Sequence, residues 1–163
     1  MYSIQPVGEN DRPVLRRFWV DHWGDESMVV RGRVYTLDDL DGGFAALEDG
    51  QWIGLVTFVV DGAACEIMSL DSLREGRGIG AALMVAVEKE ARQRACTILR
   101  LVTTNDNMNA LRFYQKRGFV LTALRPDALD ESRRLKPSIP RIGYDGIPLR
   151  DELELELRLD GGL

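Results

Sequence analysis

Apolar residues recur along this chain at two spacings, and the change from one to the other marks where one element ends and the next begins. Short apolar runs bounded by turn residues predict strands, whereas recurrence at three and four positions predicts helices. Tyr2 to Val7 reads as a first strand. Asn10 or Asp11, followed by Arg12-Pro13, reads as a helix start, because proline at an early helical position gives up an N–H that has no partner there anyway. This helix turns Val14, Leu15, Phe18 and Trp19 inward and ends near His22-Trp23-Gly24. Met28 to Leu40 keeps no clear period and reads as irregular structure or a short second helix.

Phe44 to Leu47 and Trp52 to Val60 flank Glu48-Asp49-Gly50-Gln51, and Asp-Gly between apolar runs predicts a hairpin. Trp52 to Val60 is almost wholly apolar, as a strand covered on both faces is. Asp61-Gly62 turns the chain into a further strand, Ala63 to Leu70. A helix from Ile79 to about Arg94, a strand Ile98 to Thr103, a helix from about Asn107 to Arg117 ended by Gly118, and a strand Phe119 to Leu124 follow. Leu153 to Leu159 alternates strictly, which puts leucines on a core face and Glu154, Glu156 and Arg158 on what reads as a solvated face. Between Arg125 and Arg150 runs one long connection punctuated by Pro126, Pro137, Pro140, Gly143, Gly146 and Pro148, with Asp127 to Leu135 as a short helix inside it. Such a segment either covers a binding cleft or packs as a surface excursion.

Candidate chemistry lies where a strand hands over to a helix. The apolar run Cys65 to Leu70 is followed by Gly76, Gly78 and Gly80, and Ile79, Leu83, Ala86 and Val87 then repeat at helical spacing. A helix start carries unpartnered N–H groups and partial positive charge, so it suits a phosphate, and glycines let the anion approach the backbone. The same glycines serve any tight strand-to-helix turn, so both readings stand on this stretch alone.

The stretch resembles the acyl-CoA pyrophosphate loop of the GCN5-related N-acetyltransferases (GNAT), Arg/Gln-x-x-Gly-x-Gly/Ala at a helix start. Gly78, Ile79 and Gly80 match its last three positions, with Arg77 before them and Ala81 after. Glu75 stands where the family has Arg or Gln, which leaves Arg74 or Arg77 to supply positive charge. A second stretch, Thr103 to Phe119, resembles the family's later motif through Asn107, Ala110, Tyr114, Gly118 and Phe119. On these two motifs, in the right order, the chain is identified as similar to small single-domain GNAT proteins of bacterial type.

The resemblance implies an α+β fold over residues 1–163. Its mostly antiparallel twisted sheet has about seven strands flanked by helices, splayed between the fourth (Ala63 to Leu70) and fifth (Ile98 to Thr103). It implies acetyl-CoA as acyl donor, no metal, and a primary amine on a small molecule or peptide as acceptor, attacked directly in a ternary complex. Backbone groups of Met68, Ser69 and Leu70 are then expected along the pantetheine arm, with one N–H polarising the thioester carbonyl, and Asn107 and Ala110 beside them. Asn107 reads equally as a helix cap.

Tyr114 is expected to protonate the leaving sulfur, its other reading being a core aromatic. Glu66 is the candidate base, its other reading a solvent-facing strand residue. His22, Trp23 and Arg31 are weak acceptor contacts, with packing or surface roles as the alternative. Homodimers are common in the family and one is compatible with this chain. Two other functions compete. A non-catalytic acyl-CoA-binding regulatory module gains room from Glu75. A dinucleotide oxidoreductase is disfavoured, because Leu83 replaces the third small residue of its fingerprint and the chain begins with hairpins.

Composition narrows the picture further. At 163 residues, 45% hydrophobic and 29% charged, the chain suits one soluble globular domain. A net charge of −5 argues against a nucleic-acid partner. No apolar run reaches the roughly 20 residues a membrane span needs, and Met1-Tyr2-Ser3-Ile4 lacks signal-peptide features, so a cytoplasmic location without membrane partners is expected. Cys65 and Cys96 lie in apolar surroundings without metal-ligand spacing and are expected as buried reduced thiols. Disorder is expected only at Gly161-Gly162-Leu163.

Overall fold

In a computed structural model residues 1–160 are described, and the Gly161-Gly162-Leu163 end lies outside the described residues. In chain order they form β1 (Ser3–Pro6), α1 (Arg12–Trp23), β2 (Ser27–Val30), β3 (Arg33–Thr36), β4 (Gly42–Glu48), β5 (Gln51–Asp61) and β6 (Ala64–Ser72). There follow α2 (Ile79–Gln93), β7 (Ile98–Thr104), α3 (Met108–Lys116), β8 (Val120–Arg125), α4 (Ala128–Leu135) and β9 (Glu152–Arg158). Seven strands make one sheet in the order β1-β4-β5-β6-β7-β9-β8. Every neighbouring pair is antiparallel except β6 and β7, which run parallel across the α2 crossover. The expected mixed, mostly antiparallel α/β fold with flanking helices is the one observed.

Successive strand residues point to opposite faces, so Leu55 and Val56 begin two cores. On one face Val56, Cys65, Ile67, Leu99, Leu101 and Leu155 pack with Ile79, Leu83 and Val87 of α2 and Tyr114 of α3. On the other, Leu55 packs with Leu15, Phe18 and Trp19 of α1 and with Met28 and Leu37. Trp19 is fully buried, and its indole N–H donates to Ser69 Oγ at 3.3 Å, which in turn lies 2.6 Å from Thr57 Oγ1. Both cysteines are buried free thiols, and burial pushes Cys65 up to about 12.

Met28 to Leu40 differs from the expected irregular segment or helix. It is the two-stranded hairpin β2–β3, Ser27↔Thr36 to Val30↔Arg33, followed by one 3-10 turn. Its turn is Arg31-Gly32, with φ of 51° and 73°. Tight hairpins require this left-handed pair, but arginine rarely supplies its first member, so no turn signal is legible there. The cost is met by what the Arg31 side chain reaches.

Candidate functional site

The sheet opens between β6 and β7. Their pairing covers only Ala64↔Ile98 to Ile67↔Leu101, although β6 continues to Ser72 and β7 to Thr104. Beyond Ile67 and Leu101 the two strands lean on β5 and β9 instead. At the start of the gap β6 carries a bulge: Thr57 pairs with Ser69 and Phe58 with Ile67, so Met68 has no opposite number on β5. A bulge of this kind bends the strand and leaves one residue's backbone outside the ladder. The expected splay thus has both its edges free to meet an extended ligand. Ser69, in contrast, turns its hydroxyl into the α1 core.

At the far end of β6 the chain enters the glycine loop. Gly76 and Gly78 take φ of 74° and 73°, and Gly78 stands immediately before α2. A Cβ on Gly76 would meet nothing within 4 Å and one on Gly78 only the Tyr2 hydroxyl at 4.0 Å, so the space over the loop is open. The first turn of α2, with Ile79, Gly80 and Ala81, therefore directs unpartnered N–H groups into open space beside the gap. Gly80 lies against Phe113 of α3, 3.5 Å from a would-be Cβ. Unpartnered N–H groups at a helix start suit an anion such as a phosphate.

The side chains of the loop are arranged less openly. Arg77 is ion-paired through both terminal nitrogens to Glu48, at 2.7 and 2.8 Å, and its carbonyl accepts from the Tyr2 hydroxyl at 3.2 Å. Arg77 and the N-terminal ammonium hold the Glu48 carboxyl down at about 2. Of the two arginines expected to supply positive charge, Arg74 and Arg77, Arg77 is thus occupied in fastening the loop to β4.

Tyr114 lies on α3, 7% exposed, with its ring edge-on to Phe113 and Phe119 at 5.2 and 5.4 Å. Burial raises its phenol pKa, and the Asp71 carboxylate raises it further. Asn107 caps α3, its Oδ1 accepting from Ala110 N at 3.1 Å, and Ala110 packs beside the main core.

The remaining candidates divide. Glu66 is 2% exposed, and both of its oxygens accept from Arg31 Nη2. Arg31 also donates to Glu154 Oε1 at 2.7 Å, and its backbone N–H to Glu152 Oε2 at 3.2 Å. Arg100 lies 3.5 Å from Glu66, and Arg125 pairs with Glu152 at 3.2 Å. Glu154 therefore does not face solvent as the alternation suggested; it belongs to a charge lattice that docks the hairpin onto the sheet. His22 is exposed, 4.3 Å from the Phe18 ring. Trp23 donates its indole N–H to Asp71 Oδ2 at 2.9 Å. Arg31 and Trp23 thus attend different carboxylates and do not converge.

Asp71 has no counterpart among the expected site residues. It follows Leu70 on β6, paired with Leu55 of β5 but without a partner on β7, and only its tertiary neighbours mark it. Burial raises its carboxyl pKa, against the pull of the Trp23 N–H and of His22. The long connection also finds its anchors here. Asp106, 3% exposed at the start of α3, accepts from Thr104 Oγ1 and from Tyr144 N at 2.9 Å, and Asn105 accepts from the N–H groups of Arg150 and Asp151. α4 meets the hairpin, where Lys136 Nζ donates to Ser27 O at 2.8 Å.

Residues 12–119 match the family model described as the Acetyltransferase (GNAT) family. The uncharacterised protein YdhI of Bacillus subtilis (strain 168) is 44% identical over 153 residues, 94% of this chain and 96% of that protein. Among solved structures, an IAA acetyltransferase from Bacillus cereus ATCC 14579 superposes with a TM-score of 0.71 at 19% identity, over 98% of this chain and 100% of its own. A Bacillus subtilis acetyltransferase in complex with CoA gives the same TM-score and identity over 98% and 99%. At these identities the two solved structures share the fold. No helix among the described residues is long and apolar enough to cross a membrane.

Proposed function

Because the chain belongs to the GNAT acetyltransferase family, we propose that it transfers an acetyl group from acetyl-CoA to a primary amine by direct attack within a ternary complex. The observation that carries this reading is the gap between β6 and β7, with the Met68 bulge on its edge and the glycine cradle at one end. Acetyl-CoA supplies a thioester whose carbonyl the amine attacks.

The chain's own residues supply the rest. The N–H groups of the first α2 turn, at Ile79, Gly80 and Ala81, receive the pyrophosphate. Met68 and Leu70 offer backbone groups to the pantetheine arm, and an N–H there stabilises negative charge on the carbonyl oxygen as it develops, typically a large catalytic contribution. Asn107 caps the start of α3, the helix that carries Tyr114. Tyr114 keeps its proton in this buried setting and yields it to the departing sulfur, whose own proton affinity rises when it is equally desolvated.

Two measurements test the reading. Excess acetyl-CoA, with NADH as control, should raise the melting midpoint, since a ligand at a hundred times its Kd adds about 2.7 kcal/mol. Tyr114→Phe should keep that shift while slowing thiol release with an amine acceptor; unchanged turnover removes Tyr114 from the mechanism. Glu75 and the engaged Arg77 favour one second reading, an acyl-CoA-binding regulatory module without catalysis. Amine-dependent thiol release excludes it.

A further inference from the structure

Leu70 points to the α2–α3 core, so Asp71 lies on the opposite, α1 side of the sheet. Elsewhere the sheet separates the two faces. Past Ile67 and Leu101 no pairing between β6 and β7 intervenes. Here α1 ends at Trp23, closed by Gly24 at φ 76°, and the indole reaches Asp71 Oδ2 at 2.9 Å. Among the described residues Asp71 Oδ1 accepts no hydrogen bond, Oδ2 alone being engaged.

We propose that Asp71 takes the proton from the acceptor amine, oriented by the Trp23 indole. This rests on the acetyltransferase reading above and adds to it the group that prepares the amine. The contrast with Glu66 decides between the two carboxylates. Both Glu66 oxygens are engaged by a guanidinium that also holds the hairpin, whereas Asp71 has one neutral donor and one free oxygen.

The protons balance as follows. The amine nitrogen bonds to the acyl carbon while the carbon–sulfur bond breaks, its electron pair going to sulfur. One proton leaves nitrogen for Asp71, and one leaves the Tyr114 phenol for sulfur. Transfer from Asp71 back to the phenolate, directly or through water, restores both groups.

Burial, and to a lesser extent the Asp71 charge, raise the Tyr114 phenol pKa, and protonation of Asp71 removes the lesser of the two effects. The titratable groups acting on Asp71 are His22 from α1 and Tyr114 from α3, with Trp23 as its hydrogen-bond donor. The amine attacks in its neutral form, its ammonium proton having been given to water beforehand.

The test uses the full chain, with and without acetyl-CoA. The Trp23 indole N–H resonance, identified by its loss in Trp23→Phe, is followed through a pH titration. It should inflect above the ordinary aspartate value of about 3.9, and the inflection should vanish in Asp71→Asn, whose amide oxygen still accepts from the indole. Thiol release is then measured with ethanolamine, putrescine and spermidine as probe amines. Asp71→Asn should lower kcat by about 10²–10⁴-fold and keep the acetyl-CoA melting shift. Trp23→Phe should move the acid limb of kcat/KM to higher pH, because the carboxylate loses its donor. An indole inflection in the ordinary range, or wild-type turnover in Asp71→Asn, overturns the proposal alone. A wild-type protein that binds acetyl-CoA but releases no thiol with any probe amine overturns the enzymatic reading, and this one with it.

Discussion

Arg31→Ala is the perturbation that most directly tests how the hairpin is held. Removing one partner of a buried ion pair costs about 3–5 kcal/mol, because the other charge stays behind without compensation. Glu66 fits that case, with a side chain 3% exposed. Two features bring the expected cost to the lower end. The Arg31 side chain is 25% exposed and so was never fully desolvated, and Arg100 remains 3.5 Å from Glu66 as a second cation. The backbone N–H that Arg31 donates to Glu152 survives the substitution, whereas the 2.7 Å contact to Glu154 does not.

A loss of about 3 kcal/mol is therefore expected, which in a domain of this size lowers the melting midpoint by about 6–12 °C. Urea and thermal unfolding followed by circular dichroism read both quantities. Arg31→Met combined with Glu66→Met should cost less than Arg31→Ala alone, because no buried charge is then left unpaired. A stability change for Arg31→Ala within about 0.5 kcal/mol, the range of ordinary surface substitutions, would refute the account of the lattice as the hairpin's anchor.

Three further outcomes are expected. A Cβ on Gly143 would run into the Asp106 carboxylate, so Gly143→Ala should cost about 1–3 kcal/mol by forcing a buried hydrogen bond apart, read as a lower urea midpoint. Gly54→Ala should destabilise by a similar overpacking of about 1–3 kcal/mol, since its Cβ would lie 2.6 Å from Ile79 Cγ2 beneath the start of α2, and the acetyl-CoA melting shift should shrink with it. Glu48, held down at about 2 from 4.5, contributes stability that is complete above pH 4.5 and is lost as pH falls towards 2. Glu48→Gln should flatten the pH dependence of the midpoint in that window, and added salt should shrink the difference at neutral pH, because the pair is exposed to solvent.

Local sequence determined what local physics controls. The Asp-Gly turn, the alternation of Leu153 to Leu159, the helix from Ile79 and the cap at Asn107 are each set by residues within a few positions of one another. The two GNAT motifs are of this kind, and they were enough to carry the family, the fold and the location of the splay. The hairpin at 27–36 was not legible, because its turn uses an arginine in a left-handed conformation that only a distant carboxylate pair makes tolerable. Glu154 of β9 looked solvated for the same reason: alternation gives the face a side chain lies on, not what distant chain segments lay over it. Arg77 stood beside the motif as a source of positive charge but is engaged by Glu48, 29 residues earlier. Asp71 carried no motif at all. Its chemistry arises from a helix end 48 residues away and a tyrosine on another helix, brought together where the sheet parts. Spacing along a chain fixes which groups share a face, whereas a group's charge state depends on burial and on neighbours across space, and those exist only once the two faces have been packed.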